Sequence, residues 1–219
     1  MMMAAWLYLH ILLLVFWVGT DLGVFLAAKY SERQTLSIET RQTVLMLGMV
    51  LDRLPRSALV LIVPSGLMLT QTSGLTALSP MLVLGIWVFA ACWLALLWVG
   101  FLSTNATLTA KCAAINWWLN LILALALLSI GASGYSQQLL PGWIATKILL
   151  VALICLAGFV LDLLFGPAMG LFARLAEMPN DAALNQQYRQ ALRPVYWVVL
   201  LIYVLALGAA AVGVFKWPV

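Results

Sequence analysis

The sequence predicts an all-α fold: a polytopic integral membrane bundle of six transmembrane helices, forming one domain over residues 1–219. Three observations predict it. Hydrophobic residues make up 65% of the chain and charged residues only 8%, against roughly a quarter charged in a soluble domain. Apolar runs of about 20 residues, the length that crosses a hydrocarbon core, recur with short breaks between them. The basic residues gather in those breaks, where they read as topology signals. A net charge of +4 placed in this way argues against a nucleic-acid partner and leaves the lipid bilayer as the partner.

Taken in order, the spans fall at about residues 6–28, 53–72, 81–102, 111–130, 143–165 and 194–215. The first has no basic leader region and contains Asp21, so it reads as a span and not as a removed leader. Between the first two spans, residues 37–51 read as a separate interfacial or re-entrant helix, with one long bent helix as the alternative. Asp52 is expected to cap the second span, whose first turn holds Pro55, and Pro64 to kink it. After the fifth span, residues 167–178 read as a short interfacial helix leading to a polar turn at 179–181. Trp6, Trp143 and Trp217 suit anchoring at outer ends of spans.

Six spans place Lys29, Arg33, Arg41, Arg53, Arg56, Lys111, Arg174, Arg189 and Arg193 on one side, leaving Lys147 and Lys216 elsewhere. By the positive-inside rule both termini then face away from the cytoplasm.

Ionisable groups within spans are costly, so each is a candidate for function. His10 is the only histidine. Trp6, His10, Trp17 and Asp21 are spaced by four, seven and four residues, one stripe on a helix. The stripe fits a polar seam between helices. It also fits a site in which His10 ligates a metal or exchanges a proton. Lys147 is expected at a matching outer depth, either snorkelling to headgroups or acting as counter-charge for an anionic ligand. Asp21, Asp162, Arg53 and Arg56 gather toward the cytoplasmic half, as an ion-pair network or an anion-binding mouth. Asn116 and Asn120 share a face suited to interhelical hydrogen bonds.

One histidine cannot supply both axial ligands of a bis-histidyl haem, but it can supply one. Cys92, Cys112 and Cys155 lack any CxxC spacing and read as packing residues. No phosphate loop or dinucleotide fingerprint is present.

Four segments resemble a known family. Tyr8-Leu9-His10-Ile11 with Phe16-Trp17-Val18-Gly19 resembles the first helix of the small bacterial membrane protoporphyrinogen oxidases, which carry a histidine in an "LH" context. Leu51-Asp52-Arg53-Leu54-Pro55-Arg56, leading to Pro64, is similar to their arginine-containing second helix. Trp143-Ile144-Ala145-Thr146-Lys147-Ile148-Leu149-Leu150 resembles the "W-x-x-x-K-L-L-L" start of their third, and the stretch from Tyr188 to Pro194 leads into a helix like their last. Related membrane domains occur in bacterial copper-resistance proteins. The resemblance spans roughly half the chain. Residues 81–130 look inserted relative to the four-helix family, and DRLPR replaces adjacent arginines.

The resemblance implies a haem- or porphyrin-associated redox protein of the bacterial inner membrane, with both termini periplasmic. His10 and Lys147 would be its catalytic pair and would face one compartment. His10, Lys147, Arg53, Arg56 and Trp17 would bind the cofactor, heme b, with His10 as metal ligand and the cations facing propionates. A quinone is the alternative cofactor for electron exit. Two other readings stand beside this one. One is a non-enzymatic membrane anchor or electron-transfer subunit with a soluble redox partner or a second copy of the chain. The other is a metal-ion or small-solute transporter.

Overall fold

The computed structural model describes residues 1–216; Trp217, expected as an anchor, lies outside them. Seven helices follow in order, with no strand among the described residues: α1 (Met2–Ser31), α2 (Ile38–Leu51), α3 (Arg53–Thr72), α4 (Pro80–Leu102), α5 (Ala106–Ser136), α6 (Gly142–Glu177) and α7 (Ala182–Phe215). The all-α membrane fold is therefore observed. Among the described residues, five helices are long and apolar enough to cross a membrane: α1, α4, α5, α6 and α7. The expected count of six is thus not matched, because α3, although it has the expected bounds, falls short in apolar character. Arg53, Arg56, Pro64 and the polar end Thr70-Gln71-Thr72 dilute it.

The chain forms two compact units. One comprises Met1–Tyr30 and Thr43–Asn116; the other comprises Ser31–Gln42 and the chain from Trp117 on.

In the first unit, α1 runs antiparallel to the α2–α3 stretch. A Cβ added at Gly48 would lie 2.8 Å from the Ala27 Cβ, and one at Gly23 would lie 3.1 Å from Leu51. Farther along, His10 meets Ser65. From Ala27 back to His10 is 17 residues, and from Gly48 on to Ser65 is also 17. Equal steps in opposite directions define a regular hairpin about 26 Å long. Asp52 interrupts it very little. Its backbone is right-handed helical, its N–H donates to Gly48 O at 2.9 Å, and its own carbonyl accepts from Arg56 N–H at 3.3 Å. The expected capping bond from the Asp52 side chain is absent, because the helical hydrogen bonds continue through it. Small residues let the backbones approach closely, as is usual between helices in lipid.

The rest of that unit continues by antiparallel neighbours. Ser79 caps α4 by accepting from Leu82 N–H at 3.3 Å, with Pro80 in the first turn. α4 packs on α3 through Trp98, whose Nε1 donates to Ser57 Oγ at 3.2 Å. It packs on the start of α5 through Trp93, whose Nε1 donates to Asn116 Oδ1 at 2.9 Å. The interhelical role expected of Asn116 is observed there.

The second unit is dominated by the α6–α7 hairpin. Lys147 lies against Gly213 at one end, and Phe172 against Tyr188 at the other. Both pairs of residues are separated by 25 positions along their own helix, so the register is unbroken over about 38 Å. The separate interfacial helix expected after residue 167 does not form: α6 runs through Pro167 to Glu177, and α7 runs through Pro194. A proline inside a helix removes one backbone bond. Side-chain packing that continues beyond it, as at Phe172 and Tyr188, holds the helix together.

Candidate functional site

His10 is half-buried on α1, and its Nδ1 lies 2.9 Å from Ser65 Oγ on α3. Ser65 is buried and its hydroxyl also contacts Ile62 O at 2.9 Å. The hydroxyl has a single proton, which goes either to Ile62 O or to His10 Nδ1. Where it goes to Ile62 O, Ser65 Oγ accepts from His10 Nδ1–H and the imidazole lone pair lies on Nε2. The local sequence explains why a serine can serve here. Pro64 lacks an N–H and Gly66 lacks a side chain. A Cβ at Gly66 would stand 3.2 Å from His10 Cε1. The Pro64-Ser65-Gly66 triplet therefore supplies both the hydrogen-bond partner and the room for the ring.

Trp17, on the same stripe as His10, is buried in this unit. Trp6, one turn before His10, packs its ring 5.6 Å from that of Trp87 on α4. Arg53 and Arg56 lie at the opposite end of α3. Arg56 Nε donates to Asp52 Oδ2 at 2.6 Å, an ion pair within the same stretch of chain. Arg53 donates to Phe101 O at 3.5 Å and stands 5.9 Å over the Phe101 ring. Ser65 is nine residues beyond Arg56, about 14 Å along the helix. The structure thus keeps the two arginines away from the His10–Ser65 level. Lys147 belongs to the second unit, where a Cβ on Gly213 would lie 2.8 Å from its Nζ.

A second polar centre, in the second unit, was not legible in the sequence. Arg41 is 3% exposed. Its Nε donates to Ser31 O at 2.6 Å, its Nη1 donates to Asn185 Oδ1 at 3.0 Å, and its guanidinium lies 5.9 Å from the Phe172 ring centroid. Burial pushes the Arg41 pKa below the ordinary arginine value, with Tyr188 opposing the fall and Arg189 adding to it. A guanidinium nonetheless stays protonated in proteins. Ser31 Oγ and the fully buried Tyr188 hydroxyl are 2.7 Å apart, and Tyr196 donates to Glu32. This centre fastens the connection after α1 to α6 and α7 within its own unit. Only Arg41 could have been singled out beforehand, and its partner Asn185 lies 144 positions away.

Among the described residues, no group of three His, Cys, Asp or Glu side chains could hold a metal ion. Cys92, Cys112 and Cys155 are free thiols. The chain matches no family model, no curated protein and no solved structure.

Proposed function

We propose that the protein is a haem- or porphyrin-associated redox membrane protein in which His10 would be the haem ligand or a proton acceptor. The observation that carries this reading is the His10–Ser65 contact. An imidazole whose Nδ1–H is held by an oxygen acceptor is oriented and made more basic at Nε2, the arrangement typical of ligating histidines. The donor set also fits the group. A bare metal ion needs several protein ligands, whereas a haem could be held by a single imidazole, which His10 would supply. Heme b, when bound, supplies a one-electron couple. The chain's own contribution is to hold the Nδ1 proton on Ser65, to keep Gly66 clear of the ring, and to surround the site with apolar helix. The resemblance of the first helix to the membrane protoporphyrinogen oxidases supports the same assignment for His10. On this reading the protein resides in a bacterial inner membrane.

Lys147 is proposed as counter-charge for an anionic group in its own unit. Arg53 and Arg56 are engaged away from His10, Arg56 paired with Asp52 and Arg53 resting on Phe101.

The test is an absorption spectrum of full-length protein purified in mild detergent from cells supplied with haem, oxidised and then dithionite-reduced. Near-stoichiometric haem is expected, with the spectrum altered or lost in His10→Ala at comparable protein yield. A haem-free preparation, or an unchanged spectrum in His10→Ala, overturns the reading.

A further inference from the structure

A cleft of about 330 Å³ in the second unit is lined by Gln34, Ala182, Gln186, Arg189, Gln190 and Arg193. The four long side chains from α7 are spaced at i, i+3, i+4 and i+7, so they share one helix face. Gln34 comes from the segment after α1, and Ala182 is the one small residue of the lining. No carboxylate lines the cleft. One acidic group nearby, Glu32, is ion-paired with Arg189, and another, Asp181, is engaged at the start of α7. Glu32 accepts from the Tyr196 hydroxyl and pairs with Arg189 Nε at 3.8 Å, while Asp181 caps α7 by accepting from Leu184 N–H at 2.9 Å. Arg193 is exposed, and among the described residues no ion pair involves it.

We infer that this cleft binds a phosphate-bearing anion. Two arginines four residues apart on one face repel each other, and an anion between them turns that repulsion into attraction. Guanidinium groups meet phosphate oxygens in pairs of parallel hydrogen bonds, and three glutamine amides add neutral donors around them. The volume sits at the lower end of small-ligand sites, which suits a headgroup. The place in the chain matches as well. Pro194 follows Arg193 directly, and buried Val195 and Tyr196 begin the apolar part of α7. The cleft therefore lies where a polar helix enters its apolar stretch, the level at which basic pockets meet anionic headgroups. A phospholipid headgroup and free phosphate share the chemistry recognised here.

The test uses the full chain as wild type, Arg193→Gln, Arg189→Gln and, as a control for loss of one charge elsewhere, Lys111→Gln. Protein is reconstituted in phosphatidylcholine nanodiscs with and without phosphatidylglycerol, then exchanged into detergent, and retained phosphatidylglycerol is counted by native mass spectrometry. A parallel arm measures binding of inorganic phosphate by equilibrium dialysis in detergent. Retention of phosphatidylglycerol that falls about tenfold in affinity in both arginine variants, and not in Lys111→Gln, supports a lipid headgroup. Saturable inorganic phosphate binding with the same dependence supports free phosphate. Equal retention in all four proteins without saturable phosphate binding overturns the proposal. So does an equal loss in Lys111→Gln.

Discussion

Ala27 and Gly48 meet so closely that a side chain on Gly48 would place its Cβ 2.8 Å from the Ala27 Cβ. Neither is the end of a flexible side chain, so nothing can swing aside. Alanine is favoured over glycine by about 1 kcal/mol inside a helix, yet overpacking costs about 1–3 kcal/mol. Gly48→Ala is therefore expected to lower the melting temperature in detergent. Adding Ala27→Gly should recover most of the packing loss. If the double variant loses the sum of the two single effects, the hairpin contact is not the cause.

Ser65→Ala removes the hydrogen-bond partner of His10 Nδ1 in a buried place. A loss of about 1–3 kcal/mol in unfolding free energy is expected, and it should shrink when His10 is first replaced by leucine. Where haem is bound, its retention should also fall by about 10–100-fold, the effect usual for the second partner of a ligating histidine. Thermal melts of the four proteins in the cycle check the first expectation, and haem titration checks the second.

Ser31→Ala takes from the fully buried Tyr188 hydroxyl its Ser31 partner, Tyr188→Phe removes the same bond from the other side, and each should cost about 1–2 kcal/mol. The two together should cost no more than either alone, because the pair is then removed as a unit. Chemical denaturation in mixed micelles measures all three.

The α1 hairpin also bears on topology. α2 and α3 climb back along α1 by the same 17 residues that α1 descends, a length close to the hydrocarbon thickness. The α2–α3 stretch is therefore expected to return the chain across the membrane despite the polar content of α3. In a cysteine-free background, Ser73→Cys should be labelled from the same side as an N-terminal tag, and Asn180→Cys from the opposite side. Labelling of Ser73→Cys from the side opposite the tag means that this stretch does not cross.

Much of the fold was legible in composition and run length. Five apolar stretches of the right length became five long helices, because in lipid an unbroken helix is the only way for such a stretch to pair its own backbone groups. Asn116 could be read as an interhelical donor or acceptor from its place in an apolar run, and Trp93 answers it. The behaviour of Asp52 could not be read in this way. A carboxylate before a proline-containing turn looks like a cap, and only the continuing backbone hydrogen bonds leave it with no N–H to satisfy. Pro167 misled for the same reason, since local propensity says nothing about the contact of Phe172 with Tyr188 beyond it.

The sequence by itself determined that the chain lives in a membrane, where its helices lie, and that His10 is its one imidazole in an apolar helix. Tertiary structure alone decided which atoms those side chains meet. It set His10 on Ser65, drew Arg56 to Asp52 and Arg53 onto Phe101, and buried Arg41 against Asn185. The reason is physical. Hydrophobic run length is a local property and survives in one dimension. A hydrogen-bond partner is set by the register of a hairpin, and register depends on how small residues such as Ala27, Gly48 and Gly66 let two backbones approach.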